Sequence, residues 1–109
     1  MTPIQRYVTE LCNGALGIEA DVHGNVTYPV DKLYQSFRSF CQDEGMTKIM
    51  QAPTFKSELK NMDIKLKQAR FEGERPICAV IDGAELEKIM RKFIKNKEWK
   101  LLRPVEAEE

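Results

Sequence analysis

Apolar residues fall at helical spacing in four segments of this 109-residue sequence, and two stretches, 25–30 and 64–81, are rich in strand formers. These observations predict an α+β fold in the order helix, short strand, helix, helix, hairpin, helix. A helix pair followed by a β-hairpin is the order of a winged helix-turn-helix, here with a small β-sheet and an extra C-terminal helix. Residues 1–103 are expected to form one such domain, with 104–109 as a flexible acidic tail.

Pro3 suits the first turn of a helix, where its missing N–H goes unused. Ile4, Tyr7, Val8, Leu11 and Cys12 follow at helical spacing, and Asn13-Gly14 stops the run. Residues 15–24 read as a loop punctuated by Gly17 and Gly24. In "NVTYPV", 25–30, Pro29 confines the segment to a short edge strand. Asp31 is expected to cap the next helix, whose stripe is Leu33, Tyr34, Phe37, Phe40 and Cys41 and whose stop is Gly45. Such an aromatic stripe could stack on single-stranded bases. Its spacing is nevertheless the ordinary mark of a core face, with Tyr7, Phe55, Phe93 and Trp99 as expected packing partners.

Residues 46–52 are irregular. Pro53 opens a third helix to residue 62, with Phe55, Leu59 and Met62 inward and Thr54, Lys56, Ser57, Lys60 and Asn61 outward. "IKLKQARF", 64–71, alternates until Gln68. There Ala69 and Phe71 fall on the lysine side, which predicts a bulge or sharp twist. "EGER" supplies a turn and "PICAVID" the returning strand. The last helix is expected over 84–97. Leu86, Ile89, Met90, Phe93 and Ile94 form its apolar stripe, and Lys88, Arg91, Lys92, Lys95 and Lys97 cover most of the remainder.

The net charge is zero but unevenly spread. Residues 1–47 carry three basic and six acidic groups, 48–75 seven and four, and 76–109 seven of each. The basic middle segment coincides with the third helix and the hairpin. The longest apolar run, "ICAVI", is too short to span a bilayer, and the N-terminus lacks a signal pattern, so a cytoplasmic protein is expected. Three widely spaced cysteines, Cys12, Cys41 and Cys78, suit reduced thiols. With no Cys-x-x-Cys and His23 as the single histidine, no metal site, cofactor or catalytic residue is expected. His23, in "DVHGN", reads as a solvated loop residue. No phosphate-cradling loop, H-E-x-x-H or G-x-S-x-G occurs. An enzyme is therefore not expected.

A helix with lysines and small polar residues outward, followed by a lysine-bearing hairpin, suits duplex DNA. The candidate DNA-binding residues are Lys48, Thr54, Lys56, Ser57, Lys60 and Asn61 with Lys65, Lys67, Arg70 and Arg75 on the hairpin. The commoner reading of such a charge run is a solvated face, and the absence of arginine from the third helix weakens any base-specific reading.

The segment "VDKLYQSFRSFCQDEG", 30–45, has the pattern valine, two residues, leucine-tyrosine, two residues, aromatic, two residues, aromatic-cysteine, three residues, glycine. With the opening helix "PIQRYVTELC", the Phe55-x-x-x-Leu59 spacing and a basic hairpin, it resembles the small C-terminal domain of poxvirus-type and phage-type helicase-primases. The resemblance covers roughly residues 3–82. It implies a winged helix that binds DNA at the end of a replication protein, partnered with a replicative ATPase or helicase. The chain lacks an ATPase motif, which implies an excised domain or a stand-alone relative. Two other readings compete. One is an interaction or dimerisation module using Leu86, Met90 and Phe93 of the last helix. The other is a small transcriptional regulator.

Overall fold

The computed structural model describes residues 1–104. The expected acidic tail therefore lies outside the described residues except for Pro104. Seven elements run along the chain: α1 (Pro3–Cys12), β1 (Val26–Pro29), α2 (Val30–Asp43), α3 (Ala52–Asn61), β2 (Lys65–Gln68), β3 (Ile77–Ile81) and α4 (Gly83–Phe93). The three strands form one antiparallel sheet in the order β1-β3-β2. The architecture is α+β, compatible with a winged helix.

Local chemistry explains most of the boundaries. Thr2 and Gln5 form a reciprocal capping box at the start of α1, with the Gln5 amide donating to Thr2 Oγ1 at 3.3 Å and the Thr2 amide to Gln5 Oε1 at 3.0 Å. At the end of α2, Gly45 adopts φ +78°. Its amide reaches the Gln42 carbonyl at 2.9 Å, and the Met46 amide the Cys41 carbonyl at 3.0 Å. This is the paired bonding of a Schellman stop, and it consumes two carbonyls the helix leaves without partners.

Asp31 is not the cap of α2. β1 passes directly into the helix, Pro29 occupies the cap position without a side-chain bond, and Asp31 lies in the first turn. There its carboxylate complements the positive end of the helix and stands 3.3 Å from Lys56 on α3.

The core is aromatic at its centre. Tyr7 meets Phe37 and Phe40 edge-on at 5.3 and 5.5 Å between centroids, and Phe37 stacks on Phe55 at 5.0 Å. The Tyr7 hydroxyl donates to the Leu33 carbonyl at 3.2 Å, so its one polar atom is satisfied inside. The stripe of α2 is thus protein-packed, with Tyr34 half-buried and donating to the Met50 carbonyl at 2.8 Å. Phe93 does not join this cluster; it is 46% exposed.

The register of β2 on β3 runs unbroken from Lys65↔Val80 to Gln68↔Ile77 and continues in step to Phe71↔Glu74. The expected bulge at Gln68 is absent. Regular pairing thins there because Pro76 has no N–H to return. The Ala69 amide still donates to the Pro76 carbonyl at 3.1 Å, and the Ala69 carbonyl accepts from the Cys78 thiol at 3.9 Å instead. Glu72 and Gly73 form the two-residue tip, both with positive φ (50° and 81°), as a tight hairpin of this twist requires.

α4 ends four residues before the expected boundary of 97. Leu86 and Met90 are fully buried, so the face expected to serve self-association is core, with only Phe93 outside. Gly83 opens the helix where nothing larger fits. A Cβ there would lie 2.2 Å from the His23 carbonyl oxygen, while its amide donates to Asn25 Oδ1 at 2.9 Å. After α4 the chain folds back, burying Leu101. Arg103, the last residue of the expected domain, donates to the His23 carbonyl and pairs with Glu87 at 3.1 Å.

Candidate nucleic-acid interface

α3 presents two unlike faces. Phe55 and Leu59 are buried, while Thr54, Ser57, Lys60 and Asn61 are exposed on the other side. The helix is stopped by Asp63 in the left-handed region (φ +57°), a conformation Asp tolerates better than most residues. The Asp63 amide donates to the Lys60 carbonyl at 2.9 Å and the Ile64 amide to the Leu59 carbonyl at 3.0 Å. This tight stop joins α3 to β2 through Met62, Asp63 and Ile64 alone. It therefore brings the last turn of the helix beside the first residues of the strand.

Alternation along β2 does the rest. The register places Leu66 with Tyr28, Ala79 and Ile81 toward the core, and Lys65 and Lys67 with Thr27, Val80 and Cys78 on the opposite face. Lys60, Lys65 and Lys67 consequently line one depression of about 470 Å³ together with Asp63, Ile64 and Leu66. A neighbouring depression of about 220 Å³ shares Asp63, Lys65 and Lys67 and adds Asp82 and Glu85 from the start of α4. The local field is therefore mixed: lysine heads concentrate at α3 and β2, and carboxylates mark the border toward α4.

The ten sequence-nominated residues divide into groups. Thr54, Ser57, Lys60 and Asn61 share one exposed face of α3, and Lys60 adjoins Lys65 and Lys67. Arg70 and Arg75 are exposed further out on the hairpin. Lys56 is partly committed through its bond to Asp31. Lys48 is exposed in the irregular segment before α3 and lines neither depression. Among the described residues, Lys60, Lys65, Lys67, Arg70 and Arg75 form no ion pair.

At the hairpin tip, Phe71 packs edge-on against Tyr28 at 5.1 Å, with the Lys32 ammonium 5.4 Å from its ring centre and 4.0 Å from Glu72. These contacts tie the tip to β1 and α2. Alternation alone predicted only a disrupted pattern there.

The titratable groups with shifted acidity lie away from this surface or beneath it. Burial pushes the Tyr7 phenol and the Cys12 thiol each up to about 12, and burial also raises the Cys41 and Cys78 thiols. Thiols held protonated in this way are poor nucleophiles. Asp21 is lowered by the backbone N–H of Asn25 and that of His23, both of which donate to its Oδ1 in the 21–25 turn. No group of three or more His, Cys, Asp or Glu side chains able to hold a metal occurs among the described residues. No helix among them is long and apolar enough to cross a membrane.

A family model described as Poxvirus D5 protein-like matches residues 1–76. The chain belongs to that family. Membership connects it with primase-helicase-related replication proteins in a viral or phage context. The matched residues of this D5-like chain include α1 through β2 and the hairpin tip, and with them every nominated residue. β3 and α4 lie beyond the match. No curated protein and no solved structure matches the chain.

Proposed function

We propose that this D5-like chain is a DNA-binding winged-helix module of a replication protein, docking α3 and the β2–β3 hairpin on duplex DNA beside a replicative ATPase or helicase. The observation that carries the reading is the convergence of Lys60, Lys65 and Lys67 on one depression between helix and hairpin. Family membership supplies the replication context.

Lysine ammonium groups without carboxylate partners suit phosphate oxygens, and Thr54, Ser57 and Asn61 offer short hydrogen-bonding groups on the same helix. Arg70 and Arg75 extend the positive strip along the hairpin toward a flanking groove or backbone. Since the cations are mostly lysines, the contacts are to phosphate, and affinity depends weakly on sequence and steeply on salt.

The test is fluorescence anisotropy with a short labelled duplex over a salt series. In the triple variant Lys60→Gln/Lys65→Gln/Lys67→Gln, the slope of log K against log salt becomes shallower by about 2 to 3. The loss is similar on unrelated sequences. Absence of wild-type binding to duplex or single strand at low salt sinks the proposal, as does an unaltered slope in the variant.

A further inference from the structure

The apolar stripe of α4 predicts a helix to residue 97, but the helix ends at Phe93. Lys95 takes a left-handed backbone conformation at φ +53°, and the Asn96 amide closes on the Arg91 carbonyl at 3.1 Å. The chain reverses, and Lys97 comes to share a cleft of about 570 Å³ with Lys88, Arg91, Lys92 and Lys95. Among the described residues no carboxylate lines this cleft, and none of its residues lines the depression at α3 and β2.

Arg91 is committed: its guanidinium binds Glu87, and its Nε donates to the Trp99 carbonyl at 2.7 Å. Lys88 stands 3.5 Å from Glu85. Lys92, Lys95 and Lys97 form no ion pair among the described residues. Glu87 also accepts from the Leu101 amide at 3.2 Å, so the returning segment is held against the helix that carries the other lysines. Three uncompensated cations gathered at one cleft repel one another, and a lysine in the left-handed region is strained. The repulsion disfavours the bare fold and is relieved by a bound anion.

We infer that this cleft is a phosphate cradle that holds the backbone of a nucleic acid, a second contact apart from α3 and the hairpin. The inference rests on the reading of the chain as DNA-binding. The DNA-binding reading selects phosphate over the carboxylates of an acidic protein as the anion. The cleft's one guanidinium is already occupied by Glu87, and what remains are ammonium groups that meet phosphate oxygens as point charges. The cleft offers no aromatic lining residue to stack a base, so its contact is to backbone and blind to sequence.

The experiment compares the salt slope of duplex binding in three proteins: wild type, the α3–β2 triple variant, and Lys92→Gln/Lys95→Asn/Lys97→Gln. Asn is used at 95 because it tolerates the left-handed backbone. Thermal unfolding of the α4 variant verifies the fold. The expected slope for the α4 variant is shallower by about 2 to 3, with weaker binding on every sequence. Lys92→Arg/Lys97→Arg retains the wild-type slope. An unchanged slope in the α4 variant, with the α3–β2 variant weakened, overturns this inference and leaves the docking surface standing. The converse result removes α3–β2 docking and sustains the cradle. Tripolyphosphate binding to Lys92, Lys95 and Lys97, without effect of their substitution on DNA, assigns the cleft to a free anion and also overturns it.

Discussion

At the scale of single residues, the buried ionisable groups set a pH limit on the fold. Tyr7 ionises near 10 when free and near 12 in place; Cys12 moves from 9.0 to about 12. Burial opposes the charged form in both, so the unfolded chain loses these protons first as pH rises. The stability from keeping them neutral is whole below pH 9 and is lost between 9 and 12. Tyr7 alone accounts for roughly 2 kcal/mol of that loss by the top of the range. Tyr7→Phe is expected to cost about 1 kcal/mol at neutral pH through the lost bond to Leu33. It also flattens the alkaline fall above pH 10, which urea unfolding at a series of pH values measures. An equally steep fall in the variant would count against Tyr7 as a source. Elsewhere at this scale the burial of Tyr7 was legible from helical spacing. The bond between Lys56 and Asp31 was not, because it joins residues 25 positions apart on two helices. Nor was the Cys78 thiol's place opposite the Ala69 carbonyl, which arises only because Pro76 withholds a donor.

Among the elements, α4 and its returning strap depend on one carboxylate. Glu87 binds Arg91, Arg103 and the Leu101 amide at once. Glu87→Gln removes the charge from a half-buried hub and is expected to cost about 1.5 to 3 kcal/mol. Hydrogen exchange checks it: the Leu101 amide loses protection in the variant while amides of α1 and α2 keep theirs. Uniform loss of protection would instead mark Glu87 as a global support. Faces of α1, α2 and α3 were readable because periodicity and stop signals are properties of neighbouring residues. The end of α4 was not. Ile94 continues the apolar pattern, yet the strap's attachment to Glu87 and the turn at Lys95 end the helix first.

For the whole molecule, the sheet order decides what can be removed. β3 pairs with both β1 and β2, and it lies beyond residues 1–76 that carry the family match. The domain is therefore incomplete at the boundary of the match. Beyond β3, Leu86, Met90 and Leu101 are each buried. Each contributes on the order of 1.5 to 3 kcal/mol by burial, and a domain has about 5 to 15 kcal/mol in all. A chain truncated after Ile81 is expected to lose its near-ultraviolet circular dichroism and its cooperative melt. A sharp unfolding transition in that truncation would show the last helix to be dispensable.

Spacing and turn signals alone set the order of elements, the inward faces of α1, α2 and α3, the edge position of the proline-bearing strand and the hairpin. Each depends on spacing and turn chemistry within a few residues. Tertiary structure alone decided which charges are spent and which are free. Lys60 meets Lys65 because Asp63 stops a helix tightly, Lys56 turns to Asp31, and Lys97 meets Lys92 because the chain reverses at Lys95. Coulombic neighbours are set by distance in space, and one helix stop or chain reversal changes that distance without changing the local pattern of residues.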